Sequence, residues 1–212
     1  MEPDFTLLAS GRSNEELIER IDNRQKFLPE TIEASVAELQ FRNHAFSDEE
    51  LKIIGEDIQA QRANAVMVTS NPSLFNTDYK NTIVEDPDAP LMYSRRVIYM
   101  FAFLFGAMFG SVMMAMNISK TEKKNEAYLA IIFGIGFTAL QIYFMSKLNS
   151  NSGSSYGYLG GLISAYCLNY IFWKNFIGYS TFYRARTFWV PSIIAFLFVA
   201  IIIAAILVGQ PK

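Results

Sequence analysis

Four apolar runs, at 97–116, 127–145, 156–173 and 189–208, contain no Asp, Glu, His, Lys or Arg, and they constrain this chain more than any other feature. They are 20, 19, 18 and 20 residues long. An α-helix rises about 1.5 Å per residue, so about 20 residues cross a hydrocarbon core about 30 Å thick. A helix buried in a soluble protein usually keeps a polar edge. Four runs without an ionisable group therefore predict transmembrane helices. The third is the weakest, with Gly157, Gly160, Gly161, four tyrosines and Asn169, and is read as either spanning or re-entrant.

Charge divides the chain at the same place. Residues 1–94 hold 18 acidic and 8 basic side chains, a net of −10, whereas 95–212 hold 2 acidic and 10 basic, a net of +8. Such a split indicates two environments in one chain. The acidic half has no basic run and would repel phosphates, which argues against nucleic acid as a partner. The single cysteine, Cys167, lies in an apolar run and excludes a disulfide framework.

The first 30 residues carry Asp4, Glu15, Glu16, Glu19 and Asp22 and no apolar signal core. Residues 1–94 are thus expected to stay in the cytoplasm. Four crossings then put Arg95, Arg96, Lys147 and Lys212 inside and Lys120, Lys123, Lys124, Lys174, Arg184 and Arg186 outside. Four against six runs contrary to the positive-inside rule. A re-entrant third run makes it six against four. An N-out chain also satisfies the count, but must translocate its first 94 residues. The expectation taken forward is four helices with the N-terminus inside.

Within the polar half, Ser13 with Glu16 and Ser47 with Glu50 are capping boxes ahead of apolar residues at helical spacing. Pro29 suits the first position of a helix whose stripe is Ile32, Val36 and Leu39. Three helices between Ser13 and Ala65 form a small cytoplasmic module, 1–65. Some 50 residues is marginal for independent stability, so a leftover stripe is expected to dock on something else. Residues 66–94, with Asn71-Pro72 and Glu85-Asp86-Pro87-Asp88-Ala89-Pro90, read as an extended linker. The membrane bundle occupies 95–212.

Candidate sites are few. Gly106 with Gly110 and Gly157 with Gly161 are G-x-x-x-G pairs that let helices approach closely, within the chain or in a homo-oligomer. Trp173, Lys174, Arg184, Arg186 and Trp189, around the loop 174–188, fit an interface with anionic lipid headgroups or a partner. Gln141, Asn169 and Ser164 are read as interhelical hydrogen-bonding groups, and alternatively as a path for an uncharged solute. No nucleophile–base pair is visible, because the only histidine, His44, falls in a helix-to-helix turn. No metal or cofactor site is expected. Proton-coupled transport would normally place a carboxylate or histidine inside a span.

Two stretches carry a resemblance. Residues 17–21, 29–34, 37–39 and 47–51 resemble a helical module that precedes membrane segments in uncharacterised proteins of Bacteroidota-type bacteria. Met92-Tyr93-Ser94-Arg95-Arg96, Phe172-Trp173-Lys174, Ile177-Gly178, Tyr183-Arg184 and Trp189-Val190-Pro191 are similar to the membrane part of such proteins. The resemblance implies a bacterial inner-membrane location and carries no activity. The fold expected is all-α, a small helical module followed by a four-helix transmembrane bundle. The function expected is a non-enzymatic subunit or adaptor whose acidic module docks a protein partner. The alternative is a small channel or carrier.

Overall fold

The structure, a computed structural model, describes residues 4–70, 72–73, 78–147 and 153–208. It is predominantly helical and divides into two compact units. The first comprises residues 1–92, 120–123 and 174–185, and the second 93–119, 124–173 and 186–212.

The first unit begins with α1 (Phe5–Ser10), α2 (Asn14–Asp22), α3 (Pro29–Phe41) and α4 (Asp48–Ser70). Both capping boxes form. Ser13 Oγ accepts from Glu16 N at 3.2 Å while Glu16 accepts from Ser13 N at 3.0 Å. Ser47 and Glu50 repeat the exchange at 3.2 and 2.8 Å. Each box satisfies N–H groups that a helix start leaves open. Pro29 is at the start of α3. The stripes meet in one core of Leu17, Ile21, Ile32, Leu39, Ile54 and Ile58, with Ala9 from α1. His44 is exposed in the turn after α3, which Asn43 makes with φ +62°.

Of the expected linker 66–94, the described residues up to Met92 belong to this unit instead. Residues 66–70 complete α4, and Ile83–Val84 (β1) and Leu91–Met92 (β2) are strands. Each pairs in parallel with β3 (Tyr183–Ala185), which lies in the centre of the sheet. Between β1 and β2, Asp86 is fully buried and accepts from Leu28 N at 3.0 Å and Asp88 N at 2.9 Å. Asp88 pairs with Arg12 at 2.7 Å and with Arg20 at 3.1 Å. The Arg20 guanidinium also lies 5.0 Å over the Phe27 ring. A segment whose composition is that of a loop is thus fixed by carboxylates whose partners are Arg12 between α1 and α2, Arg20 in α2 and the Leu28 N–H ahead of α3. The loop 174–188 is likewise not all loop. Tyr183 is buried in β3, and Lys123 Nζ donates to Asn175 O at 2.6 Å.

The second unit is helical: α5 (Arg95–Phe105), α6 (Ala107–Ile118), α7 (Ala127–Lys147), α8 (Gly153–Cys167) and α9 (Trp189–Val208). α8 runs on as a π-helical stretch, Leu168–Ile177, whose last residues belong to the first unit. Among the described residues, one helix, Lys124–Lys147, is long and apolar enough to cross a membrane, with 11% of its most apolar window buried. Ala107–Ile118 and Trp189–Ile201 are shorter apolar helices.

The first apolar run is not one straight helix. Gly106, at φ +89° and ψ 169°, ends α5 and starts α6 in a backbone region that is almost exclusive to glycine. The chain reverses there. Asn117 Oδ1 accepts from Tyr93 N at 2.9 Å and its Nδ2 donates to Tyr93 O at 2.8 Å. In a straight helix, residues 24 positions apart would be about 36 Å apart. The two arms also press together, because a Cβ added to Gly110 would meet Ala102 Cβ at 2.5 Å.

Candidate functional site

Two places in the molecule gather features beyond ordinary packing, one in each unit. In the first, α3 and α4 leave an open groove of about 290 Å³. Val36, Leu51, Ile54 and Ile58 give it apolar walls, and Glu33, Gln40, Gln59 and Arg62 give it polar edges. Arg62 is tied down by Glu33 at 2.8 Å and Glu30 at 3.2 Å. The hydrogen bonds that Arg62 donates to Glu33 first, and then to Glu30, move it above its ordinary pKa. Arg62 stays charged but is offset by these two carboxylates, and the acidic excess of the unit's sequence is left to dominate.

In the second unit, polar side chains are sealed at the base of the α5–α6 hairpin. Arg95, Asn117 and Asn169 are each at most 3% exposed. Arg95 Nε donates to Asn169 Oδ1 at 2.9 Å, so the start of α5 is bound to the beginning of the π-helical stretch. A buried polar group without a partner would cost about 1–3 kcal/mol, so such pairs fix register. Arg186 stacks 5.0 Å above the Tyr93 ring.

Glycines set the remaining contacts. Gly161 abuts the Phe103 backbone and Gly134 abuts Ser111, where added Cβ atoms would stand 2.7 and 2.6 Å from their neighbours. Gly110 faces Leu168 as well as Ala102. The hairpin is thus packed against α7 through Gly134 and against α8 through Gly161. At its tip Phe105 meets Phe196, and beside it Phe109 meets Phe198, with ring centroids 5.6 and 5.8 Å apart.

Of the residues expected at helix contacts, Gly110 and Gly161 are there. Gly106 is not, since nothing lies within 4 Å of where its Cβ would be, and it supplies a turn rather than a contact. The surroundings of Gly157 lie outside the described residues. Trp173 was expected among lipid headgroups but is 1% exposed, buried within the second unit. Lys174 and Trp189 are exposed, Arg186 is half-buried, and Arg184 sits in β3 rather than in a loop. The amide clamp at Asn117 and the Arg95–Asn169 pair were not anticipated. Asn117 falls one residue beyond the apolar run, where a polar side chain is ordinary and carries no signal of a buried contact. No family model, curated protein or solved structure matches the chain.

Proposed function

We propose that the chain is a non-enzymatic subunit or adaptor of a bacterial inner membrane, anchored by its apolar helices, with a cytoplasmic module that docks a protein partner. The observation that carries this reading is the groove between α3 and α4, apolar in its walls and set in a unit of strongly acidic sequence. Its chemistry suits an amphipathic helix with basic flanks, because the walls take apolar side chains at helical spacing and the surrounding carboxylates attract cations. Val66, one helical turn beyond Arg62 on α4, is also exposed.

Membrane residence is supported by Lys124–Lys147 and by α9, where Ile193, Phe196, Leu197 and Ile201 are all more than half exposed. Apolar surface of that extent in water would drive aggregation, and in lipid it is at its lowest energy. A solute path has less support. Asn169 is bonded to Arg95 and Ser164 to Gly161 O, while Gln141 borders an otherwise apolar groove of about 430 Å³ between α7 and α8.

Photo-crosslinking residues at Gln40 and Gln59, with Lys52 outside the groove as control, test the docking reading in intact cells. One discrete adduct from the groove positions, absent at Lys52, is expected. Recovery of the uncrosslinked monomer at all three positions refutes it.

A further inference from the structure

We propose that the first apolar run is a re-entrant hairpin that enters and leaves the membrane on the cytoplasmic side, so that the chain crosses three times and ends outside. This rests on the membrane reading above and goes beyond it by assigning the side of every loop.

The hairpin itself is fixed by geometry. Gly106 reverses the chain, Asn117 clasps both backbone groups of Tyr93, and Gly110 lies against Ala102. α5 and α6 have 11 and 12 residues. At about 1.5 Å per residue each arm is about 17 Å long, about half of a 30 Å hydrocarbon core. α7, with 21 residues, is long enough to cross it, and we assign the last crossing to α9, whose helix runs from Trp189 to Val208. Non-helical backbone at membrane depth is tolerated where protein covers it, and the Phe105–Phe196 contact sits beside the turn.

The membership of the first unit points the same way. Residues 120–123 and 174–185 belong to it together with 1–92. β3 lies between β1 and β2, and Lys123 donates to Asn175. One folded unit lies on one side of a membrane. The segment 93–119 therefore leaves that side and returns to it, and so does 124–173, through α7 outward and α8 back. The final segment, from Arg186, leaves and does not return.

Charge then falls into line. Arg95, Arg96, Lys120, Lys123, Lys124, Lys174, Arg184 and Arg186 are inside, and Lys147 and Lys212 outside. Eight against two obeys the positive-inside rule that four crossings violate. The anomaly belongs to the first run, not to the weak third one.

The test is cysteine accessibility in the full chain after Cys167→Ala. Reporters are Lys52→Cys, Lys120→Cys, Ser152→Cys, Ser180→Cys and Gln210→Cys, probed with a membrane-impermeant maleimide on spheroplasts before and after permeabilisation. The proposal expects labelling at 152 and 210 in intact spheroplasts, and at 52, 120 and 180 only after permeabilisation. Four crossings from an inside N-terminus invert the result at 120, 152, 180 and 210 and overturn it. Labelling of 52 in intact spheroplasts overturns it in favour of an N-out chain. Labelling at 120 with protection at 152 and 180 overturns it in favour of a third run that turns back. Alkaline phosphatase fused after Lys212 gives an independent readout without internal substitutions. It is active if the C-terminus is outside, and inactivity overturns the proposal. Loss of the protein from carbonate-washed membranes would instead refute the membrane reading itself.

Discussion

Asp86→Ala tests whether the acidic segment between β1 and β2 is part of the first unit or a tether. The carboxylate is fully buried and accepts two backbone N–H bonds, from Leu28 and Asp88. Hydrogen bonds to a charged group contribute about 1.5–3 kcal/mol each, so losing both costs about 3 kcal/mol or more. Arg20 loses its 3.7 Å pair with Asp86 but keeps Asp88 at 3.1 Å, so its charge is not orphaned and about 3 kcal/mol is a lower bound. Leu28 precedes α3, so the start of that helix loses an anchored N–H. Hydrogen–deuterium exchange of the full chain in detergent reads the effect at amides 28–32. A cost of about 3 kcal/mol is about a hundredfold loss of protection. The control is Glu85→Ala, whose pair with Lys26 is exposed and contributes at most about 1 kcal/mol. If Asp86→Ala and Glu85→Ala exchange within threefold of each other, residues 85–90 act as a tether and the reasoning fails.

Other expectations concern the helical unit and the caps. Gly134→Val would push a side chain into Ser111 and lower the thermal aggregation midpoint in detergent by the equivalent of about 1–3 kcal/mol. Gly136→Ala, with nothing within 4 Å, leaves that midpoint unchanged or slightly raised. Gly106→Ala has equally open surroundings, yet costs about 1–3 kcal/mol in the same assay because of its positive φ. If it matches Gly136→Ala, the reversal at Gly106 is wrong. Glu50 is held below the ordinary carboxylate range by the backbone N–H of Ser47 and then by its hydroxyl. Its contribution to the first turn of α4 is complete above the unfolded-state pKa and is lost as pH falls through the lower folded value. Exchange protection at residues 48–52 should show that acid loss, and Glu50→Gln should remove it.

Local chemistry is what made the module legible. A capping box or a proline at a helix start is written within four residues, so α2, α3 and α4 could be placed from Ser13, Pro29 and Ser47. The contacts that govern the rest join distant residues. Asp88 meets Arg12 across 76 positions, Arg95 meets Asn169 across 74, and Tyr93 meets Asn117 across 24. β3 is three residues long and has meaning only through partners about a hundred positions earlier. Gly106 shows the same limit in one residue. Within an apolar run, a glycine that packs and a glycine that turns look alike, and only the amide clasp at the far end distinguishes them. Four crossings from an inside N-terminus put six basic residues in the outer loops and four inside. A run that turns back would remove that excess, but charge alone does not say which run it is.

The central claim is that the first apolar run folds back on itself, and an interspin distance tests it most directly. Nitroxide labels at Arg96 and Ser119, in the Cys167→Ala chain in lipid nanodiscs, would be about 35 Å apart on a continuous helix. The clasp between Tyr93 and Asn117 brings those positions together, so a distance below about 20 Å is expected. A distribution centred near about 35 Å would contradict the account.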